Sequence, residues 1–109
     1  LNAAVKPNLV FKKTVIDAGK VKMNGKKTIE YEFKNKGKGK LVLIKAFSSC
    51  ACTSVEIPSD PFPKGKKGKI LVTYDSKGIL PGKYKKNITI IANTPESSHE
   101  LELIVQIVP

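Results

Sequence analysis

The chain has 109 residues, 40% of them hydrophobic, which suits one domain with a core that needs no disulfide to fold. No apolar run approaches the roughly 20 residues that cross a bilayer, so we predict no transmembrane segment. The net charge of +11 comes from 20 basic residues, all of them lysine. Arginine, whose planar fork reads bases and clamps phosphates, is absent, which argues against sequence-specific nucleic-acid binding.

Apolar and polar residues alternate with a period of two, and this predicts an all-β protein. Residues 11–16 form the first extended segment, which we expect to be an edge strand or one that switches sheets. The pair Asn24-Gly25 predicts a two-residue hairpin turn of type I′, in which both central residues have positive φ. The next strand is marked by Ile29, Tyr31 and Phe33, which alternate with polar neighbours.

The middle of the chain predicts two further strands and a loop. Residues 40–47 contain the run Leu41-Val42-Leu43-Ile44, which is apolar on both faces and predicts a central strand. Residues 53–57 form a short strand after the two cysteines. Three prolines in residues 58–65 exclude a central sheet position, so this segment is a loop.

Alternation returns in residues 70–74, 83–93 and 99–108. Seven to eight short strands, separated by glycine and proline turns, predict an immunoglobulin-like β-sandwich of antiparallel strands. We expect residues 1–109 to form one such domain, with about the first eight residues a loose N-terminal segment.

Cys50 and Cys52 are the only cysteines. In an extended strand their Cα atoms would lie about 6.5 Å apart, near the upper limit for a disulfide, so a bond requires a local bend. So small a ring predicts a labile bond that suits redox exchange. Free thiols at this spacing would chelate copper(I) or, with further ligands, zinc. The third alternative is a pair of small, buried structural residues.

Two further residues are weaker candidates for such a site. The Thr53 hydroxyl is placed to donate a hydrogen bond to a thiolate. His99, the single histidine, is the one source of a nitrogen ligand, although no spacing brings it near the cysteines. Asp75-Ser76 and residues 97–99 supply acid, serine and histidine without a nucleophile elbow, so we expect no catalytic residues and no enzyme activity.

The lysines form three clusters, and we expect the first and third to flank loops at the sheet ends as a basic patch for acidic surface polymers. Tyr84 alone offers an aromatic ring among them, too little for base stacking, so nucleic-acid binding is not expected. Glu30 and Glu32 lie on one outward face and are predicted to pair with lysines across strands. The clusters are Lys34, Lys36, Lys38 and Lys40; Lys64, Lys66 and Lys67; and Lys83, Lys85 and Lys86.

Several stretches together resemble a bacterial protein family, the domain of unknown function 1573. The resemblance runs from about Phe11 to Ile107, and the family's hallmark Ser-Cys-Gly-Cys-Thr stands here as Ser49-Cys50-Ala51-Cys52-Thr53. It implies an immunoglobulin-like fold related to Hydin-type domains, and export in bacteria such as the Bacteroidetes. It implies no established activity. The other matching stretches are residues 17–21, 31–37, 63–66 and 82–86.

Two residues depart from the family pattern. Ala18 stands where the family has an aromatic side chain, which predicts a less well anchored first turn. Ala51 replaces the glycine between the cysteines and would be strained by roughly 1 kcal/mol if that position needs a positive φ.

These observations predict an exported, non-enzymatic module in the periplasm, at the cell surface or outside a bacterium. Because the sequence begins with Leu1 rather than methionine, we expect a targeting segment to have been removed. Its partners would be other proteins or neighbouring domains of a larger chain, and it needs no cofactor. The alternative function is a thiol redox or copper or zinc site at Cys50 and Cys52.

Overall fold

The computed structural model of the chain describes residues 5–109, and within them every regular element is a β-strand. Alternating apolar residues produce these strands, because one face of each must be buried. The strands are β1 (Leu9–Phe11), β2 (Val15–Lys22), β3 (Lys26–Asn35), β4 (Leu43–Ser48), β5 (Thr53–Glu56), β6 (Lys67–Asp75), β7 (Gly82–Ala92) and β8 (Ser98–Val108).

The strands form two four-stranded sheets. The first sheet has the order β1-β3-β6-β5 and the second β2-β8-β7-β4. This confirms the predicted β-sandwich, with one difference: β2 and β8 pair in parallel, from Val15 beside Glu102 to Lys22 beside Val108. The remaining pairs are antiparallel.

The first predicted segment does switch sheets. β1 pairs with β3 in the first sheet, and after three residues the chain enters β2 at the edge of the second sheet. Leu9 and Val21 are buried at the two ends of this path. The continuous stretch from β1 to β2 therefore contributes one edge strand to each sheet.

The prediction of a hairpin at Asn24-Gly25 is wrong. The Gly25 amide donates to the Lys22 carbonyl at 3.2 Å, so the turn exists, but β2 and β3 lie in different sheets. Asn24 has a φ of 58°, whereas Gly25 is not among the residues with positive φ, which excludes type I′. The buried Ser76 hydroxyl accepts the Gly25 amide at 2.8 Å and holds this connection between the sheets.

The prediction that residues 40–47 form a central strand is also wrong, because β4 lies at the edge of the second sheet. Its register with β7 shifts between Leu43 and Lys45, which marks a bulge. Leu41 and Leu43 are buried, and Ile44, the next residue, points outward, where it is 60% exposed. Alternate residues of the apolar run thus fill the core.

The core lies between the sheets, where inward-facing residues of β3, β6, β7 and β8 alternate with outward-facing ones. Each of these strands contributes two to four side chains that are fully or almost fully buried. The inward set is Tyr31, Phe33, Ile70, Val72, Tyr74, Ile88, Ile90, Ala92, Leu101, Leu103, Val105 and Ile107.

One end of the sandwich is built around Asn35, a buried residue at the end of β3. Its side-chain oxygen accepts the amides of Asn8 and Gly37 at 3.1 and 2.9 Å. Its side-chain nitrogen donates to the carbonyls of Gly39 and Phe62, both at 2.8 Å. A single amide therefore satisfies four backbone groups from three separate segments.

The prediction of a loose N-terminal segment falls partly on residues 1–4, which lie outside the described residues. Of the remainder, the Lys6 carbonyl accepts the Gly39 amide at 3.1 Å and the Asn8 carbonyl accepts the Lys36 amide at 2.9 Å. A Cβ atom at Gly37 would overlap the Lys6 carbonyl oxygen, so only glycine permits this approach. Residues 6–8 thereby pack against the loop that follows β3.

Two buried tyrosines differ in how their hydroxyl groups are satisfied. The Tyr31 hydroxyl donates to the Glu102 carbonyl across the sandwich. Burial, and secondarily the charge of Glu102, raise the pKa of Tyr31 to about 12. The Tyr74 hydroxyl is buried without a hydrogen-bond partner among the described residues. Burial, with a smaller contribution from Tyr84, also raises the pKa of Tyr74.

Candidate functional site

Residues 48–53, here called the cysteine corner, carry the chain from β4 in the second sheet to β5 in the first. The Thr53 amide donates to the Cys50 carbonyl at 3.1 Å, which closes a tight turn. This turn is the bend that the spacing required, since it brings the two Cα atoms to 5.2 Å. Cys50 and Cys52 form a disulfide, and the chain has no other cysteine.

Each sulfur of the disulfide lies beside a hydrogen-bond donor. The Cys52 amide donates to the Cys50 Sγ at 3.3 Å, and the Thr53 hydroxyl lies 3.6 Å from the Cys52 Sγ. Both cysteines are half-buried and Ala51 between them is exposed. Donors of this kind stabilise a thiolate when the disulfide opens.

Ala51 is not strained in this turn. Among residues 5–109, Asn24 is the only non-glycine residue with a positive φ. The turn therefore accepts alanine in place of the family's glycine. Ala18, the other departure, is buried at 5% exposure in β2, next to Gly19 with its φ of 75°.

His99 lies away from the cysteine corner. It pairs with Ile90, which on its other side pairs with Ala46, four residues before Cys50. The His99 Nε2 atom lies 2.7 Å from the Thr94 hydroxyl, a local contact in the turn between β7 and β8. Within residues 5–109 no three histidine, cysteine or acidic side chains form a group that could hold a metal ion.

The structure separates the predicted basic patch into two parts. Lys34 and Lys67 pair directly in the β3–β6 register, and the backbone amide of Asn35 donates to the Lys66 carbonyl at 3.1 Å. Lys34–Lys40 and Lys64–Lys67 thus share one end of the molecule, here called the lysine end. The cysteine corner is at the opposite end, because Tyr74, near the far end of β6, pairs with Thr53.

The third lysine cluster belongs to the cysteine end of the second sheet. It occupies the start of β7, where Gly82 pairs with Ile107, whereas Ala92 at the other end of β7 pairs with Leu43. Lys86 and the lysine end are therefore separated by about 20 Å of strand. Lys86 lies over the ring of Tyr84, 5.7 Å from its centroid.

Glu30 and Glu32 pair with lysines, as the sequence predicts. Glu30 contacts Lys69 on β6 at 2.8 Å, and this hydrogen bond and charge raise the pKa of Lys69. Glu32 contacts Lys12 at 3.5 Å. Both pairs lie on the outward face of the first sheet, where their side chains are more than 40% exposed, so each contributes little stability.

Three of the four edge strands are short or obstructed. β1 has three residues and β5 has four. β2 is longer, but its register shifts between Asp17 and Lys20, and the Lys27 ammonium donates to the Ala18 carbonyl at 2.5 Å. Short strands, bulges and lysines are the usual protections of a sheet edge. β4 also has a bulge, between Leu43 and Lys45, but its residues 45–48 pair with β7 in unbroken register.

The fourth edge, β4, carries two large apolar side chains in solvent. Ile44 is 60% exposed and Phe47 is 47% exposed, three residues before Cys50. Lys45 lies over the Phe47 ring at 5.6 Å from its centroid. The sequence pattern does not single out these two residues, since a run that is apolar on both faces gives no sign of which face lies in solvent.

A family model, "Protein of unknown function (DUF1573)", matches residues 9–107. Comparison with curated protein sequences gives no match. No helix in residues 5–109 has the length and apolar character needed to cross a membrane.

Solved structures share the fold at low sequence identity. A protein of unknown function from Porphyromonas gingivalis W83 superimposes with a TM-score of 0.82 at 17% identity, over 97% of this chain and 49% of its own. The seventh PapD-like domain of human CEP192 has a TM-score of 0.68 at 13% identity, with 99% and 90% covered. The periplasmic chaperone SfaE has a TM-score of 0.70 at 12% identity, with 94% and 58% covered.

The neighbours differ in what surrounds the shared domain. The chain spans about half the length of the P. gingivalis protein and 32% of the Vibrio cholerae VesB protease, which matches with a TM-score of 0.64 at 17% identity. At these identities the likeness establishes the fold alone, a β-sandwich of the PapD-like, immunoglobulin-like kind. Because the family model covers nearly all of it, the chain belongs to the DUF1573 family.

Proposed function

We propose that the domain is an exported, non-enzymatic protein-binding module that accepts an extended segment of a partner along β4. The observation that carries the proposal is the exposure of Ile44 and Phe47 on an edge strand whose counterparts are short or obstructed. An edge strand offers unpaired backbone donors and acceptors, and adjacent side-chain contacts supply specificity.

The surroundings of β4 favour an apolar contact confined to the edge. Phe47 pairs with Thr89 on β7, and the Thr89 hydroxyl donates to the Glu100 carboxylate at 2.8 Å. The sheet surface beside Phe47 is therefore polar. A partner strand that adds to β4 would cover Ile44 and Phe47 without having to cover the rest of the face.

Two observations support export, the structural neighbours and the disulfide. The structural neighbours include a periplasmic chaperone and a secreted serine protease. A disulfide is stable in such compartments, whereas cytosolic thiols are kept reduced. Placement in the periplasm, at the cell surface or outside the cell accords with both observations.

Selection of peptides from a phage-displayed library of random eight-residue segments on the immobilised domain tests the β4 proposal. We expect selected peptides to alternate apolar and polar residues and to lose at least tenfold in affinity for Ile44→Lys/Phe47→Lys. Leu80→Lys is the matched control, since Leu80 is 71% exposed and lies outside β4.

Cys50→Ser/Cys52→Ser serves as a second control, and binding should survive this substitution. Peptides that bind Ile44→Lys/Phe47→Lys as well as the unaltered domain would refute the β4 site. Loss of all binding in the cysteine variant would instead move the function to the cysteine corner.

The cysteine corner supports a second candidate function, thiol–disulfide exchange with a partner thiol. A partner thiolate would attack the Cys50 Sγ, forming a mixed disulfide and releasing Cys52 as a thiolate beside the Thr53 hydroxyl. A second partner thiolate then attacks the partner sulfur of the mixed disulfide and releases Cys50 as a thiolate, so the domain gains two electrons and the partner is left with a disulfide. The reduced pair, with two soft sulfurs, would also suit copper(I).

Thiol counting by intact mass in glutathione buffers tests this second function. We expect the disulfide to open at potentials above about −300 mV, where structural disulfides of secreted proteins stay closed. Thr53→Val, which removes the donor and keeps the shape, should slow the exchange. A disulfide that resists glutathione until the protein unfolds would exclude the redox role, and failure of the reduced form to gain the mass of copper(I) would exclude the metal role.

A further inference from the structure

A shallow groove of about 590 Å³ crosses the outward face of the first sheet at the lysine end. It lies over β1, β3 and β6 and is lined by Val10 and Phe11 together with several lysines. Volumes of this size are typical of ligand sites. The groove is on the other sheet from β4, so a ligand can bind in it whether or not the proposed edge site exists.

The charges in this groove are unbalanced. Glu32 contacts Lys12 and Glu30 contacts Lys69, so both acidic groups are engaged. Lys34, Lys36 and Lys67, which also line the groove, have no acidic side chain within 4.0 Å among residues 5–109. Three positive charges thus face solvent without a counter-charge.

The placement of two of these lysines is unfavourable in the unoccupied protein. Lys34 and Lys67 are register partners on adjacent antiparallel strands. Like charges directly opposite one another destabilise a sheet pair, and an anion between them removes the repulsion. The groove is therefore arranged to gain from a negatively charged occupant.

The apolar part of the groove distinguishes the class of anion. The chain has no arginine, and its lysine ammonium groups attract a carboxylate or a phosphate alike as point charges, so the charges alone do not select between them. Val10 is half-buried and pairs with Lys34, so it presents apolar surface among the lysines, whereas Phe11 pairs with Phe33 and packs its ring against it on the inner side. A phosphate polymer has no group for this surface, but a peptide with acidic and apolar side chains does.

From these observations we infer that the groove binds an acidic, extended segment of a partner protein, with carboxylates against Lys34, Lys36 and Lys67 and an apolar side chain against Val10. Alternate residues of an extended peptide point to the same face and are spaced by about 7 Å, similar to the spacing of neighbouring outward residues on the strands beneath. Acidic and apolar residues that are two positions apart therefore face the groove together.

Fluorescence anisotropy with a labelled peptide of sequence Glu-Ser-Glu-Ser-Phe-Ser-Glu, whose three glutamates and one phenylalanine share a face when the peptide is extended, tests the inference. We expect Lys34→Gln/Lys67→Gln to weaken binding at least tenfold. Lys83→Gln/Lys85→Gln removes the same charge from the opposite end and should change the affinity less than twofold. Val10→Ser should weaken binding severalfold, and thermal unfolding verifies that each variant folds.

Each remaining outcome overturns the inference. Equal losses in the two lysine double variants would mean that the peptide senses only the net charge of +11. Full affinity of Val10→Ser for the peptide would mean that the apolar contact plays no part in binding. Direct binding of labelled inorganic polyphosphate together with no binding of the peptide would assign the groove to a phosphate polymer. Absence of binding by either probe would leave the lysines as surface charges only.

Discussion

The lysine end and the cysteine corner hold the chain in contrasting ways. At the lysine end a single buried amide, Asn35, joins three segments through four side-chain hydrogen bonds. At the cysteine corner a covalent bond joins residues that are already two apart. The disulfide therefore does less to define the fold than the hydrogen bonds of Asn35 do. This leaves the cysteines available for another use.

Asn35→Ala gives the largest expected effect. It leaves the amides of Asn8 and Gly37 and the carbonyls of Gly39 and Phe62 without partners, several of them buried. At about 1 to 3 kcal/mol for each unsatisfied buried group, a loss of roughly 4 kcal/mol is expected, measured by urea unfolding. Asn87→Ala, an exposed position on β7, should change stability by less than about 0.5 kcal/mol. Similar losses in both variants would deny Asn35 its structural role.

Raising the pH should destabilise the protein through Tyr31, in the half of β3 that leads to the lysine end. An unfolded tyrosine releases its proton near pH 10, whereas burial raises the pKa of Tyr31 to about 12. Between these values the unfolded state binds fewer protons, so stability falls by about 2 to 3 kcal/mol in total.

Tyr31→Phe isolates the contribution of this one hydroxyl group to the pH dependence of stability. The variant should lose roughly 1 kcal/mol at pH 8 with its hydrogen bond to Glu102, and then fall less steeply above pH 10. Denaturant titrations at pH 8 and pH 11 measure both terms. Parallel pH curves for the two proteins would contradict the assignment.

Removal of the disulfide should have a smaller effect. A closed loop of three residues restricts the unfolded chain by only about 1.5 kcal/mol. Cys50→Ala/Cys52→Ala should therefore remain folded with a loss of this size, as measured by thermal and urea unfolding. A loss as large as that of Asn35→Ala would reverse the comparison and make the cysteine corner the stronger structural element.

Tyr74→Phe should be neutral or stabilising by up to about 1 kcal/mol, because it removes a buried hydroxyl that has no partner among the described residues. Tyr74 lies at the cysteine corner, since its neighbour Asp75 donates its amide to the Cys52 carbonyl at 2.8 Å. The same substitution at Tyr31 is destabilising, which makes the two tyrosines a matched pair. A clear loss of stability in Tyr74→Phe would indicate a water or protein partner for the hydroxyl.

The sequence alone predicts the strands whose alternation is complete. The segment around Tyr31 and residues 83–93 and 99–108 agree with β3, β7 and β8 within two residues, because burial of one face imposes the period of two. The pairing of Glu30 and Glu32 with lysines follows from the same pattern. These features depend on local spacing.

The predictions that failed depend on contacts distant in sequence. Asn24-Gly25 has the composition of a hairpin turn, yet Ser76 and the separation of the sheets determine its actual role. The sequence of Leu41–Ile44 does not predict the bulge in β4, because the bulge depends on the pairing of β4 with β7. Nothing in the local sequence marks Asn35 as structural, and only its burial among three segments gives it that role.

The parallel pairing of β2 with β8 has a consequence for how the domain acquires its structure. The partner of Val15 is Glu102, so the edge strand near the beginning of the chain must wait for the last strand before its hydrogen bonds can form. Pairing over so long a sequence separation requires a large loop to close, and the loss of chain entropy comes before the contacts that offset it. This slows folding into the range of milliseconds to seconds. While a polypeptide emerges vectorially from a ribosome or a translocation channel, the first sheet can assemble early. The second sheet is completed only when β8 has been delivered.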